Sequence, residues 1–203
     1  MKLNGYLIIF SLLYCDLVAK TRILGTSRCT EEQLKTFLLK KNPNSGKIYL
    51  PYIKYYLSEG NKEGIRGDLA FCQSLHETNF FKFGGDVSPK QNNFSGIGAT
   101  GGGEKGCSFE TPRQGIRAQI QHLKAYASKK PLNFSCVDPR FQLIKNRGCA
   151  PYIEDLGGKW AYPGYDKKKY KSFQQAYRKR DTYGHKIVKI YNEIRKIKPK
   201  NKS

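Results

Sequence analysis

One uninterrupted segment, residues 64–85, constrains the fold most. It opens with glycines, contains no helix breaker from Asp68 to Phe83, and closes at a glycine pair. An acidic residue in the first turn and a glycine after the last turn are typical of a helix. The sequence therefore predicts a helix with Glu77 in its last turns.

The position of Glu77 predicts a carboxyl group that ionises reluctantly. The negative end of the helix dipole and the nearby rings of Phe80, Phe81 and Phe83 both disfavour the charged form. A glutamate with a raised pKa suits a general acid, although a solvated helix residue is the simpler interpretation. Gln73 lies one turn earlier on the same face, and its polar side chain predicts a face that lines a cleft and binds substrate.

A polar, glycine-rich loop follows at residues 91–103 and contains Asn93 and Phe94. An amide beside an aromatic ring suits a site that holds a sugar. With His76-Glu77-Thr78 before it, the loop sequence Asn93-Phe94-Ser95-Gly96 resembles the glucosaminidase family that cuts bacterial peptidoglycan, which includes flagellar wall hydrolases. The resemblance extends from about residue 30 to residue 196. It implies that Glu77 is the general acid and that the loop forms a wall of the cleft.

A glycosidase usually has a second carboxylate besides its general acid. Between the loop and the next helix the chain has two acids, Glu104 and Glu110. Glu104 ends the glycine run, and we expect it to position or activate the attacking water. Glu110 directly precedes a helix start, where it suits the helix dipole equally well. An acetamido group of the substrate is the alternative to either residue.

Aromatic residues later in the chain predict a platform for sugar rings. Trp160 and Tyr162 stand between glycines and a proline, and aromatic faces stack on the C–H faces of pyranoses. The resemblance implies that the ring at Trp160, often a tyrosine in the family, lines the active site; an anchor in the core is the alternative. His122 and Tyr126 share a polar helix stripe that is predicted to face the cleft, with a structural role for His122 as the alternative.

Further helix signals predict the fold class. Capping patterns begin helices at Thr30 and Thr111, and apolar residues recur at helical spacing in 49–59 and 187–197. The glycine-rich segment leaves room for a small hairpin at most. Together with the architecture that the resemblance implies, the prediction is a mostly α (α+β), lysozyme-like domain of two lobes, one helical and one a small Gly-rich loop or hairpin.

The first residues predict export. Lys2, an apolar run and a small residue at Ala19 are typical of a secretory signal peptide, and the run is too short to span a bilayer well. Acylation at Cys15, as in a lipoprotein, is the alternative. We expect a secreted, periplasmic or wall-associated protein. The expected segments are a signal peptide at 1–19, a basic leader at 20–29, a catalytic domain at 30–197 and a basic tail at 198–203.

The charge of the chain narrows its partners to polyanions. The 203 residues carry a formal net charge of +21, which attracts nucleic acid, anionic membranes and anionic wall polymers without distinguishing among them. The resemblance selects peptidoglycan or a related N-acetylglucosamine polymer as the substrate, with the anionic wall surface bound by charge. We expect a monomer without a cofactor and without a dedicated nucleic-acid site.

Export also permits disulfides. Of the five cysteines after the signal segment, Cys72 lies inside the predicted helix and is expected to be a buried free thiol. The other four allow three pairings, and a bridge between Cys136 and Cys149 is preferred.

Zinc is disfavoured because no cysteine pair has ligand spacing. His76-Glu77 also lacks the second histidine of a metalloprotease motif, since Phe80 occupies that position.

Three functions follow from these observations. The first is hydrolysis of β-1,4 bonds after N-acetylglucosamine in peptidoglycan, as an endo-beta-N-acetylglucosaminidase with Glu77 as acid. The second is a lytic transglycosylase, in which an intramolecular hydroxyl replaces water and leaves an anhydro end. The third is a non-catalytic basic protein that binds wall polymer or nucleic acid. The length of the resemblance favours the first.

Overall fold

The computed structural model describes residues 19–84, 88–99 and 106–198, and nearly all of their regular structure is helical. The predicted signal peptide and Glu104 therefore lie outside the described residues, apart from Ala19. The helices are α1 (Glu31–Lys41), α2 (Gly46–Tyr49), α3 (Tyr52–Glu63), α4 (Gly67–Glu77), α5 (Pro112–Ala127), α6 (Phe173–Arg178) and α7 (Tyr183–Arg195), with short 3₁₀ helices at Pro89–Gln91, Phe141–Leu143 and Ile153–Leu156.

The predicted mostly helical fold is confirmed. In the described ranges, β structure is limited to isolated bridges, such as the one between Arg22 and Tyr152. The described flanks of the glycine-rich loop form no hairpin strand, although the backbone N–H of Cys107 donates to the carbonyl of Ile97 and closes the loop. No helix of the described ranges is both long and apolar enough to cross a membrane.

The capping signals placed two helix starts correctly. Thr30 accepts a hydrogen bond from the backbone N–H of Gln33, and the Gln33 side chain accepts one from the backbone N–H of Thr30. Thr111 likewise accepts from the backbone N–H of Gln114. These bonds satisfy backbone donors that a helix start leaves without a partner, so α1 and α5 begin where their local sequences specify.

Two glycines allow α3 and α4 to cross in close contact. A β-carbon on Gly67 would lie 2.1 Å from the carbonyl oxygen of Tyr56, and one on Gly60 would lie 2.6 Å from the carbonyl oxygen of Ile65. Any larger residue would push the helices apart. Helix α3 continues past residue 59, where the predicted helical spacing ended, and stops at Gly64 with a left-handed backbone (φ +69°).

Helix α4 ends at Glu77, six residues before the predicted end at Phe83. The backbone then turns left-handed over residues 79–81, with φ values of 49°, 60° and 59°. Thr78 stabilises this turn, because its hydroxyl donates to the Ser74 carbonyl and accepts from the backbone N–H of residue 81. The sequence pattern missed the turn because aromatic residues rarely adopt this conformation.

The helices enclose one main core and a smaller cluster. Buried residues of α1, α3, α4, α5 and α7 form the main core. The smaller cluster of Ile97, Phe109 and Ala118 lies where the glycine-rich loop meets α5. Trp160 packs against both, which places it at the junction of the helical part and the loop part.

All cysteines of the described residues are free thiols, and the predicted bridge between Cys136 and Cys149 is wrong. Gln121 holds the backbone at residues 135–138, whereas the backbone N–H of Ala150 donates to the carbonyl of Tyr126. These anchors are five residues apart on α5, about 7.5 Å along the helix axis, and they keep the two loops apart. Cys72 is a buried free thiol in α4, as the sequence predicted.

A buried ion pair connects the N-terminal segment to α4. The Arg66 guanidinium lies 3.0 Å from the Asp68 carboxylate, and their side chains are 3% and 0% exposed. The same carboxylate accepts hydrogen bonds from the backbone N–H groups of Arg28 and Cys29. Asp68 thus neutralises a buried cation and anchors the segment that precedes α1.

We expect Asp68→Asn to lower the free energy of unfolding by about 3–5 kcal/mol, because it leaves the Arg66 charge buried without a counter-charge. The matched control is Glu31→Gln, which breaks the partly exposed pair between Glu31 and Lys35 and should cost less than about 1 kcal/mol. Denaturant unfolding measures both values, and an equal cost for the two variants would contradict this interpretation.

Candidate active site

Glu77 is the last residue of α4, so it lies in the last turn as predicted, although the predicted helix extended to Phe83. Its side chain is accessible to solvent, yet protein surrounds it on most sides. Burial raises the pKa of Glu77 to about 6, and hydrogen bonds from Tyr183 and Trp160 oppose part of that rise by stabilising the carboxylate. The carboxyl group is therefore balanced between its acid and its base form near pH 6.

The rings that were expected to desolvate Glu77 pack elsewhere. Phe81 stacks on Tyr49 in the core with ring centroids 4.6 Å apart, and Phe80 contacts Phe37. The left-handed turn after α4 directs the chain into that core. The prediction of an elevated pKa agrees with the structure, but the groups at the carboxyl are the side chains of Tyr183 and Trp160.

Tyr183 is a site residue that the sequence analysis missed. It is the first residue of α7, is 7% exposed, and donates its hydroxyl proton to Glu77 Oε1. The sequence predicted this helix only from Ile187. Tyr183 lies four residues earlier, on the same helix face as Ile187, so extending the apolar stripe by one turn would have included it.

Trp160 also acts on Glu77, because its indole N–H hydrogen-bonds the carboxyl and favours the carboxylate. The Trp160 ring centroid is 4.8 Å from that of His122 and 5.7 Å from that of Tyr126. His122 Nδ1 lies 2.7 Å from Asp138 Oδ2, and the imidazole is buried. His122 therefore packs against Trp160 as a buried residue, which agrees with the structural role that the sequence offered as its alternative.

The two tyrosines predicted to bind substrate differ in exposure. Tyr126 is half-buried, and its hydroxyl donates to the carbonyl of Lys159 at 3.2 Å. Tyr162 is 86% exposed and lies two residues after Trp160. An exposed ring can meet a sugar without any displacement of protein, and the contact of Tyr162 with sugar stays a prediction.

Three other residues predicted to bind substrate lie in the interior, and this corrects the sequence analysis. Gln73, Asn93 and Phe94 are 0%, 1% and 2% exposed. Asn93 donates to the carbonyl and accepts from the backbone N–H of Ile97, so it shapes the loop. These side chains support the cleft from beneath and cannot touch a ligand within it.

The loop reaches Glu77 through its backbone at Gly96. A β-carbon on Gly96 would lie 4.0 Å from Glu77 Oε2, and the residue has a left-handed backbone with φ +68°. Glycine adopts this conformation without strain. The loop therefore forms one side of the carboxyl site, as the resemblance implied, but with main-chain atoms.

The second carboxylate stays a prediction. Glu110 is exposed, and its backbone N–H donates to the side chain of Gln114 at the start of α5. This is the helix-start position that the sequence offered as the alternative for Glu110. Glu104 lies outside the described residues.

Comparisons with known proteins identify the family of this chain. A family model described as Glucosaminidase: Mannosyl-glycoprotein endo-beta-N-acetylglucosaminidase matches residues 53–196, which include Glu77, Trp160 and Tyr183. The chain is 50% identical over 148 residues to an uncharacterized protein of Borreliella burgdorferi, and this covers 72% of each chain. No solved structure matches it. The family match confirms the resemblance found in the sequence.

The raised pKa of Glu77 predicts how Glu77→Gln changes stability with pH. The folded-state pKa of about 6 exceeds the ordinary value of 4.5, so the unfolded chain loses this proton first, and ionisation of Glu77 destabilises the fold as pH rises through this window. Glutamine cannot ionise. The melting temperature of Glu77→Gln relative to wild type should therefore rise from about pH 4.5 to about pH 6 and stay level above. A difference that is independent of pH would contradict the raised pKa.

Proposed function

Because this chain belongs to the glucosaminidase family of glycosidases, we propose that it is an exported endo-beta-N-acetylglucosaminidase that hydrolyses β-1,4 bonds after N-acetylglucosamine in bacterial peptidoglycan. The observation that carries the proposal is the environment of Glu77. Its carboxyl group is accessible from solvent, has a pKa raised to about 6 by burial, and is held between Tyr183 and Trp160. These are the properties that a general acid requires.

In the proposed reaction, protonated Glu77 donates its proton to the glycosidic oxygen while the bond from that oxygen to the anomeric carbon breaks. Water then adds to the anomeric carbon and loses a proton. The Glu77 carboxylate that remains is stabilised by the Tyr183 hydroxyl and the Trp160 indole, which both donate to it. Burial stabilises the protonated form of Glu77 before the transfer. The two donors then lower the free energy of the buried carboxylate that the transfer leaves.

The walls around Glu77 suit a sugar chain. Trp160 and Tyr126 offer aromatic surface, and the backbone at Gly96 also borders the carboxyl group. Tyr162 extends the aromatic surface outward, where a further sugar ring of a long glycan would stack. We propose that Glu104 positions or activates the water, with the acetamido group of the substrate as the alternative.

We expect Glu77→Gln to lower turnover by a factor of about 100 to 10,000, because the variant keeps the shape of the side chain but has no proton to donate. The measurement is the release of reducing ends from purified peptidoglycan, with circular dichroism to verify folding. Mass spectrometry of the wild-type products should show reducing ends and no anhydro ends, because the proposed reaction is hydrolysis and not transglycosylation. Retention of more than about a tenth of wild-type turnover would contradict the role of Glu77.

Two further variants in the same assay serve as comparisons for Glu77. Glu104→Gln should lose less turnover than Glu77→Gln, whereas Glu110→Gln should stay near wild type because Glu110 lies at the start of α5. If both variants stay near wild type, a base supplied by this loop is wrong, and assistance by the substrate becomes the better account.

The positive charge of the chain is proposed to hold the enzyme on an anionic wall. A basic segment, residues 165–181, leaves the cleft shortly after Trp160 and returns just before Tyr183. Both of these residues contact Glu77, so the segment is attached beside the site. Its exposed basic residues are Lys167, Lys168, Lys169, Lys171, Arg178, Lys179 and Arg180.

We expect binding to intact wall to weaken steeply with salt, because the screening length falls from about 10 Å at 0.1 M to about 3 Å at 1 M. Cleavage of a short soluble glycan should barely change. At low salt, the double substitution of Lys167 and Lys168 by glutamate should weaken binding in a pelleting assay more than the same change at exposed Lys40 and Lys47, which lie in α1 and α2. Equal salt sensitivity for wall and soluble glycan would place the important charge inside the cleft.

A further inference from the structure

We propose that a chain of buried hydrogen bonds fixes the direction of the Tyr183 hydroxyl and thereby selects Oε2 of Glu77 as the oxygen that delivers the catalytic proton. Tyr183 is then a positioning residue for the reaction, and the buried residues behind it set its orientation. The inference rests on the proposed role of Glu77 as the general acid.

The chain begins in the core between α3, α4 and α5. The hydroxyl of Tyr56 donates to Ser74 Oγ at 2.7 Å, and Ser74 Oγ donates to Gln119 Oε1 at 2.9 Å. Gln119 Nε2 donates to Gln73 Oε1 at 2.8 Å. All four side chains are 0% exposed, so water does not compete for these bonds.

The carbonyl of Ala70 determines the direction of the whole chain. Gln119 Nε2 also lies 2.9 Å from this carbonyl oxygen, which can only accept a hydrogen bond. The amino group of Gln119 must therefore point toward α4, and it presents a donor to Gln73. Gln73 accepts this hydrogen bond with its side-chain carbonyl oxygen. Its side-chain amino group is therefore available to donate to the next residue of the chain.

That next partner is Tyr183. Gln73 Nε2 donates to the Tyr183 hydroxyl oxygen at 2.9 Å. A phenol has a single proton, and because its oxygen already accepts from Gln73, the proton is directed to Glu77 Oε1. Aligned donors polarise one another in a dry interior. Tyr183 is therefore a stronger and better oriented donor than an isolated hydroxyl.

This arrangement makes the two oxygens of Glu77 inequivalent. Oε1 accepts from Tyr183, so in the acid form Oε1 is the carbonyl oxygen and the proton resides on Oε2. Oε2 lies on the side of the loop backbone at Gly96. The proton thus leaves toward the space between the loop and the aromatic wall, where we propose that the glycan binds.

Three other side chains act on the pair of Glu77 and Tyr183. His76 precedes Glu77, its ring centroid is 5.3 Å from that of Tyr183, and burial together with the Lys186 charge lowers its pKa. Tyr126 interacts electrostatically with Tyr183. Trp160 contributes a hydrogen bond but does not titrate. All three side chains stay in the protein when the Tyr183 hydroxyl is substituted.

The test is the pKa of Glu77 in Tyr183→Phe, measured on the full chain by carboxyl ¹³C NMR and, separately, from the pH profile of kcat/KM. Loss of a hydrogen bond to a carboxylate should raise this pKa by about one pH unit. The upper limb of the pH profile should move by the same amount. An unchanged or lowered pKa would overturn the inference.

The matched control is Tyr191→Phe. Tyr191 lies on the same helix and is also 7% exposed, and the Arg66 guanidinium lies over its ring, 4.7 Å from the ring centroid. The pKa of Glu77 should not move in this variant, and a rise equal to that in Tyr183→Phe would overturn the inference.

A second variant keeps the test decisive if Tyr183→Phe does not fold. A fluorinated tyrosine at position 183 preserves the shape and donates more strongly, so it should lower the pKa of Glu77; no shift would overturn the inference. Because NMR observes Glu77 directly, the result is independent of activity. Failure of the proposed function would appear instead as activity retained by Glu77→Gln while the effect of Tyr183 on the Glu77 pKa persisted.

Discussion

The close crossing of α3 and α4 is the constraint on which the site depends. Gly60 and Gly67 bring the two backbones so near that a single methyl group on either would collide with main-chain atoms. This contact holds α4 rigidly in the core, with its polar residues Gln73 and Ser74 fully buried. The end of α4, and with it Glu77, is thereby held in one position relative to α5 and α7.

Two opposing effects then act on the Glu77 carboxyl group. Surrounding protein disfavours the charged form, whereas Tyr183 and Trp160 donate hydrogen bonds that favour it. If burial acted alone, the acid would hold its proton too firmly to give it up easily; if the donors acted alone, the group would be ionised near neutral pH. Their combination places the pKa of Glu77 at about 6, in the range that a general acid requires.

The residues that contact Glu77 come from distant parts of the chain. Trp160 and Tyr183 flank the basic segment 165–181, and Gly96 belongs to the loop after α4. A basic surface is thus anchored at both ends by residues of the site. In the proposed function, the same segment that completes the site would also hold the enzyme close to an anionic wall.

Local signals in the sequence were sufficient to predict several helix starts and the family of this protein. The capping residues Thr30 and Thr111 determined two helix starts, and the motif around Glu77 identified the family. These features depend on contacts within a few residues, which spacing along the chain records directly.

Only the tertiary structure decided which side chains face the cleft and which support it. Gln73 lies on the face predicted to line the cleft, yet it is buried and acts through Tyr183, 110 residues away in the chain. The left-handed turn after Glu77 is stabilised because its side chains pack into a core that residues from the rest of the chain form. Periodicity in the sequence shows which residues share a helix face. It does not show what that face contacts, because contacts between helices have no fixed spacing along the chain and are decided by tertiary packing.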